Sequence, residues 1–338
     1  MSTKLNVVTG ATGLLGSHIA EALVARGERV RAIVRSPESA GFLRQLAVEV
    51  VRGDLLDPAT LAHALAGADI VYHCAARVGN WGARKQFRAD VVDTTRNLLA
   101  ACGVARVGRL LHVSSVSAYG HPRIPAGGLI TEDEPLAQRL GFLDHYSQTK
   151  AEAERMVREY RGAYTIVRPS WIFGPRDRNG FPRLVQALRA GWVSIVGAGN
   201  NLLNIVYAAD VADGAIRAAN YLGGAGRAYN LCSEGAITQR QFFDCLTDGL
   251  GLPRIHKHAS VRLAHLGGLL GEVVGRLFRW SRSPHVTRYG TGLLTRSTGY
   301  SIAKARNELG WQPTTDPEVG LRRTLEWFRS TASVAGIR

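Results

Sequence analysis

The 338 residues hold no apolar run that reaches the roughly 20 a membrane-spanning helix needs. No leader is expected either. The chain enters an apolar strand at Leu5-Asn6-Val7-Val8 after four residues, which leaves no room for a signal peptide, so cytoplasmic residence is expected. Cysteine is scarce: Cys74, Cys102, Cys232 and Cys245 are scattered without Cys-x-x-Cys spacing, which excludes a zinc ribbon or a disulfide framework and leaves them as core thiols. His256 and His258 flank Lys257 without a third ligand, so no metal site is expected. Acidic residues are the minority, 27 against 42 Lys and Arg, for a net charge of +15. The imbalance is local: Arg254, Lys257, Arg262, Arg276, Arg279, Arg282, Arg288 and Arg296 face the single acid Glu272. No aromatic-interleaved basic motif accompanies them, so no nucleic-acid partner is expected. Low-complexity tracts and internal repeats are absent, as expected of a packed chain long enough for a cofactor-binding body and a smaller substrate-binding part.

What is present is an alternation of short apolar runs with amphipathic segments. Strands are expected at Asn6-Thr9, Val30-Val34, Val48-Arg52, Ile70-Cys74, Arg109-Ser114 and Thr165-Arg168, with a later one at Ala228-Leu231. Helices are expected at Ser17-Arg26, Pro58-Ala66, Arg84-Cys102 and Tyr146-Tyr160. Between the first strand and the first helix stands Thr9-Gly10-Ala11-Thr12-Gly13-Leu14-Leu15-Gly16. Glycines there allow a tight turn and let a pyrophosphate approach the free N–H groups and positive end of the helix. The pattern is that of an α/β chain with a Rossmann-type, doubly wound parallel sheet and a smaller, mostly helical C-terminal substrate domain. Residues 1–170, with 204–232 returning to them, form the expected cofactor domain, and 171–203 with 233–330 the substrate domain.

The second strand ends Val34-Arg35, without the acid that would hold an adenine-ribose 2′-hydroxyl. Arg35 is suited to a 2′-phosphate, so NADP is preferred over NAD; the plainer reading is that it points into solvent. In Gly53-Asp54-Leu55 the carboxylate either accepts from the adenine amino group, with Leu55 over the ring, or caps the helix at Pro58. Ala75-Ala76 supplies small side chains where a cofactor must pass close to backbone. Tyr146 and Lys150 are four apart and share a helix face, which places an ammonium beside the phenol and favours phenolate.

These stretches, with His73-Cys74-Ala75-Ala76, Val113-Ser114-Ser115-Val116-Ser117-Ala118-Tyr119-Gly120, Tyr146-Ser147-Gln148-Thr149-Lys150 and Arg168-Pro169-Ser170-Trp171-Ile172-Phe173-Gly174-Pro175, resemble the extended short-chain dehydrogenase/reductase family in order and over nearly the whole length. The resemblance implies Ser115, Tyr146 and Lys150 as catalytic residues, with Lys150 also on the nicotinamide ribose. It implies Ser114, Pro169 and Ser170 beside the nicotinamide, and dimerisation through helices such as Arg84-Cys102 and Tyr146-Tyr160. One departure is that Val91 stands where the family carries asparagine; Asp90 and Asn97 are the nearby substitutes.

Val116-Ser117 follows Ser115 where related sugar-nucleotide dehydratases have an acidic pair, and Leu203-Asn204 stands where epimerases carry Arg-Asp. The stretch from Ala75 through Asn80 and Trp81 to Gly82, and those at Pro284-His285-Val286-Thr287-Arg288-Tyr289 and Tyr300-Ser301, resemble instead the 3β-hydroxysteroid dehydrogenase and 2-alkyl-3-oxoalkanoate reductase branch. That implies an NADP-dependent oxidoreductase for a bulky hydrophobic ketone or alcohol. Trp81, Trp171, Phe173 and Trp192 are then candidate pocket walls, against ordinary core packing. The alternatives are a sugar-nucleotide epimerase and an idle cofactor-binding regulator. Over 261–280, Leu263, Leu266, Leu270, Val273, Val274 and Leu277 recur at helical spacing beside arginines. Such a helix either packs on the substrate domain or rests on an anionic membrane surface, which would make the protein surface-associated.

Overall fold

The computed structural model describes residues 3–79, 81–125, 127–280, 283–284, 286–295 and 299–334; Asn80, Arg282, His285 and Arg296 lie outside them. Seven strands, β1 (Leu5–Thr9), β2 (Arg29–Val34), β3 (Glu49–Arg52), β4 (Ile70–His73), β5 (Arg109–Val113), β6 (Tyr164–Pro169) and β7 (Arg227–Leu231), pair in parallel in the order β7-β6-β5-β4-β1-β2-β3. The inner strands are buried on both faces, so they read as continuous apolar runs. Alternation sends neighbours to opposite sides: Val8, Tyr72 and Leu111 join one core with Ile19, Ala212 and Trp311, while Val7, Val71 and Leu110 join another with Leu61, Leu98 and Ile166. The strand order reverses between β1 and β4, the position where such sheets open a crevice at their carboxyl ends.

The first helix, Leu14–Ala25, starts three residues before its expected position because Gly13 is its N-cap. The expected helix Arg84-Cys102 is interrupted: Arg84–Phe87 passes into a π-helical stretch, Arg88–Asp93, before α-geometry resumes over Thr94–Val104. Val91 sits in that stretch with its side chain buried, and its carbonyl accepts from the Thr95 hydroxyl at 2.6 Å. Pro58–Thr60 forms a single 3-10 turn before Leu61–Leu65.

A third core gathers Phe181, Leu188, Phe242, Phe243 and Leu325 around the short parallel pair Trp171–Phe173 and Ile205–Tyr207. Ile302, Ala305, Leu309 and Trp311 return beneath the main sheet, so the chain after 233 does not stay in one body. No described helix is long and apolar enough to cross a membrane, and no cluster of three or more His, Cys, Asp or Glu among the described residues is arranged to hold a metal ion.

Candidate active site

The glycine turn lies at the carboxyl end of β1, and its geometry admits no side chain at two positions. Gly10 has φ +66°, and a Cβ there would stand 2.7 Å from the Ala75 nitrogen. At Gly16 a Cβ would meet the Gly10 carbonyl oxygen at 2.3 Å. Ala75 is held in turn by the Thr9 hydroxyl, which accepts its N–H at 3.3 Å. Helix Leu14–Ala25 has no side-chain cap, so its first N–H groups are open to an anion. Ala11 and Leu15 bury their side chains in the core and can offer only backbone; Thr12, Gly13 and Leu14 line the open side of the turn. This cradle fits a dinucleotide pyrophosphate.

Arg35, one residue past β2, is exposed and makes no hydrogen bond or ion pair among the described residues. Asp54 accepts from Leu56 N at 2.9 Å through Oδ1, while the helix cap at Pro58 belongs to Asp57, which accepts from Ala59 N. Leu55 is buried, and its carbonyl takes the Asn97 amide at 2.9 Å. Asp90 is paired with Arg77 at 2.7 Å. Both suggested substitutes for an asparagine at Val91 are thus already engaged with other groups.

The candidate reacting groups come from two elements. Ser115 ends the β5 turn and N-caps the 3-10 segment Val116–Tyr119, with Oγ accepting from Ser117 N at 3.1 Å. Helix His145–Arg158 carries Tyr146, Lys150 and Glu154 as one buried stripe at successive i+4 positions. Ser115 and Tyr146 share a side-chain hydrogen bond. Burial raises the Tyr146 phenol above its ordinary value, and the bond from Ser115 opposes it. Burial, and not the expected depression by Lys150, dominates, and the lysine ammonium itself donates to the Val113 carbonyl at 2.9 Å. Burial brings Lys150 down to about 8, against the pull of Cys74 and Glu154.

Glu154 and Arg168 were not anticipated as part of this site. They form a fully buried ion pair, and Ser114 donates to Glu154 Oε2 at 2.7 Å. Arg168 also reaches the Tyr119 hydroxyl, which donates to Asn230 at 2.8 Å. Ser114 thus commits its hydroxyl hydrogen to the scaffold. The signal for Glu154 was available as the next i+4 step after Lys150.

Beside Ser115 and Tyr146 is a cavity of about 150 Å³, lined by Val116, Ser117, Ser147, Ser170, Trp171 and Tyr289 among others. Pro169 ends β6 next to it. Tyr289, from helix Arg288–Thr295, covers Tyr146 edge to face with ring centres 6.0 Å apart, and its hydroxyl bonds to Ser117. Of the aromatic walls expected, Trp171 alone lines the cavity. Phe173 is buried in the third core against Tyr207 and Gly320, and Trp192 is half exposed. Trp81 packs elsewhere: its indole N–H donates to the Trp280 carbonyl at 3.2 Å, and its ring lies where a Cβ on Gly275 would fall.

The model of the NAD dependent epimerase/dehydratase family matches residues 6–232. A 2-alkyl-3-oxoalkanoate reductase of Stenotrophomonas maltophilia (strain K279a) is 33% identical, covering 94% of this chain and 97% of its own. The sterol-4-alpha-carboxylate 3-dehydrogenase, decarboxylating, of Homo sapiens is 30% identical, covering 96% and 88%. Among solved structures, a nucleoside-diphosphate-sugar epimerase from Pseudomonas aeruginosa aligns over 98% of this chain and 99% of its own, at 26% identity and a TM-score of 0.77.

Proposed function

Because the chain belongs to the NAD dependent epimerase/dehydratase family, the extended short-chain dehydrogenase/reductases, we propose that it is an NADP-dependent oxidoreductase interconverting a ketone and a secondary alcohol on a bulky hydrophobic substrate. The dinucleotide would lie across the Gly10–Gly16 turn, with its 2′-phosphate on Arg35 and its nicotinamide end near Lys150, Pro169 and Ser170. When bound, it supplies the hydride that adds to the carbonyl carbon. Tyr146 gives its phenolic proton to the carbonyl oxygen as that oxygen gains charge, and Ser115 donates a hydrogen bond to the same atom. Burial keeps the Tyr146 phenol protonated, the state an acid needs in the reductive direction. Lys150 holds the ribose and the end of β5 together. Glu154 and Arg168 act at one remove by fixing the helix that carries the phenol.

One observation carries the reading: the hydrogen-bonded Ser115 and Tyr146 stand beside a cavity covered by an aromatic ring, Tyr289. The curated relatives, named as reductases and dehydrogenases of oxoalkanoates and steroids, supply the substrate class. The test follows nicotinamide absorbance with NADPH and NADH against long-chain 3-oxo acids, steroid ketones, flavonoid-like ketones and nucleotide sugars. Oxidation of NADPH by the hydrophobic ketones is expected. Conversion of nucleotide sugars alone would replace this reading with an epimerase.

A further inference from the structure

We propose that the outward face of helix Val261–Leu277 binds the surface of an anionic lipid bilayer. A surface helix of a water-soluble domain ordinarily turns its apolar side inward. This one is reversed. Its buried residues are Gly268, Glu272 and Gly275. The glycines let the helix sit close: a Cβ on Gly268 would stand 2.8 Å from Arg288 N, and one on Gly275 equally near the Trp81 ring. Glu272 sets the rotation, since its carboxylate accepts from Arg288 N at 2.8 Å and from the Arg288 guanidinium at 2.8 and 3.0 Å. Turning the helix over would break those bonds and leave Arg288 without its carboxylate partner.

The opposite face is correspondingly greasy. At about 100° per residue, Leu263, Leu266, Leu270, Val274 and Leu277 all point within roughly 60° of the direction opposite Glu272. Leu263 is 66% exposed, Leu270 56% and Leu277 75%, and the face continues into exposed Phe278 and Trp280. So extended an apolar surface has an occupant.

Charge selects which one. Lys257 and Arg279, just before and after the helix, and Arg262 in its first turn are exposed and make no ion pair among the described residues. The one acid between Arg254 and Trp280 is Glu272, already buried and paired. A second copy laid on this face would set arginine against arginine with no carboxylate to answer them. A bilayer of anionic headgroups answers both features, apolar side chains entering the acyl boundary while the cations meet phosphates. With 17 residues the helix lies in the plane of the surface, where an indole such as that of Trp280 is also favoured.

The experiment is flotation of the full chain with vesicles of phosphatidylcholine, with and without phosphatidylglycerol. Recovery with phosphatidylglycerol vesicles, weakened by salt and by leaving out the anionic lipid, is expected. Leu266→Ser, Leu270→Ser and Leu277→Ser together should lower the partition coefficient at least about tenfold. Arg262→Gln with Arg279→Gln should lower it by about fivefold per charge and only on anionic vesicles. Unchanged circular dichroism and melting temperature in these variants separate lost contact from lost fold. No flotation with either vesicle overturns the proposal, as does flotation of the triple variant at the wild-type level. A wild-type dimer that ignores vesicles and dissociates on the same leucine changes would assign the face to a second copy instead.

Discussion

The two sides of the active-site cavity are built by opposite rules. Below it, Tyr146, Lys150 and Glu154 of helix His145–Arg158 are buried and each is hydrogen-bonded, down to the Glu154–Arg168 pair that ties the helix to β6. Above it, Tyr289 hangs from a helical cover whose longest element turns glycine inward and leucine outward. The floor is stabilised from inside, by burial and satisfied charge. The cover is oriented by one carboxylate, Glu272, and keeps its apolar surface for something else. Chemistry is thus assigned to the rigid side and contact with the surroundings to the other.

The comparison sharpens most at the reacting group. Tyr146→Phe should lower turnover about a thousandfold while cofactor affinity, followed by fluorescence titration, stays near wild type. Retained turnover would remove the floor's claim to the chemistry. Next, Glu154→Gln leaves Arg168 buried without its charge partner and should cost about 3–5 kcal/mol in denaturant unfolding. Its pH dependence has a definite sign. Burial opposes the Glu154 carboxylate, but Arg168, Ser114 and Arg158 overcome it and hold its pKa below the ordinary value. The stabilisation is complete above the ordinary glutamate range and is lost as pH falls through the lower folded value; the glutamine variant should lack that loss. Arg35→Ala should weaken NADPH about tenfold and leave NADH unchanged, with equal loss for both removing its phosphate role. The smallest effect belongs to the cover: Leu270→Ser should alter stability by no more than about 0.5 kcal/mol, where Leu111→Ala in the sheet core costs about 2–5. A large loss at Leu270 would mean that both sides are built alike.

The sequence made the floor legible because its information is local. Three glycines spaced around a strand end and a Tyr/Lys pair one helical turn apart keep their meaning wherever the chain goes. The sheet was readable for the same reason, since strands buried on both faces are apolar throughout. What failed to read was set by distant packing. Phe173 and Trp171 are two residues apart on one short strand and both pack on the third core, yet only Trp171 also lines the cavity. Nothing at Trp81 announces Gly275, almost two hundred residues away, and nothing at Val91 announces that the helix widens there into π-geometry. The pKa of Tyr146 likewise follows from burial, which depends on the cover lying over it, and not from the lysine spacing that sequence emphasises.

The glycine face of the cover has a kinetic consequence. A helix that contributes few apolar side chains to the interior adds little to the free energy of folding, so detaching it costs a small part of global unfolding. The cavity, partly open to solvent, has a volume of about 150 Å³, below the roughly 300–1,000 Å³ of sites that enclose drug-sized ligands. A substrate of the bulky class proposed above would displace Tyr289 and its helix on entering. Amide hydrogens of Val261–Leu277 should exchange orders of magnitude faster than those of β5, and that opening rate sets an upper bound on how often substrate can enter and product can leave.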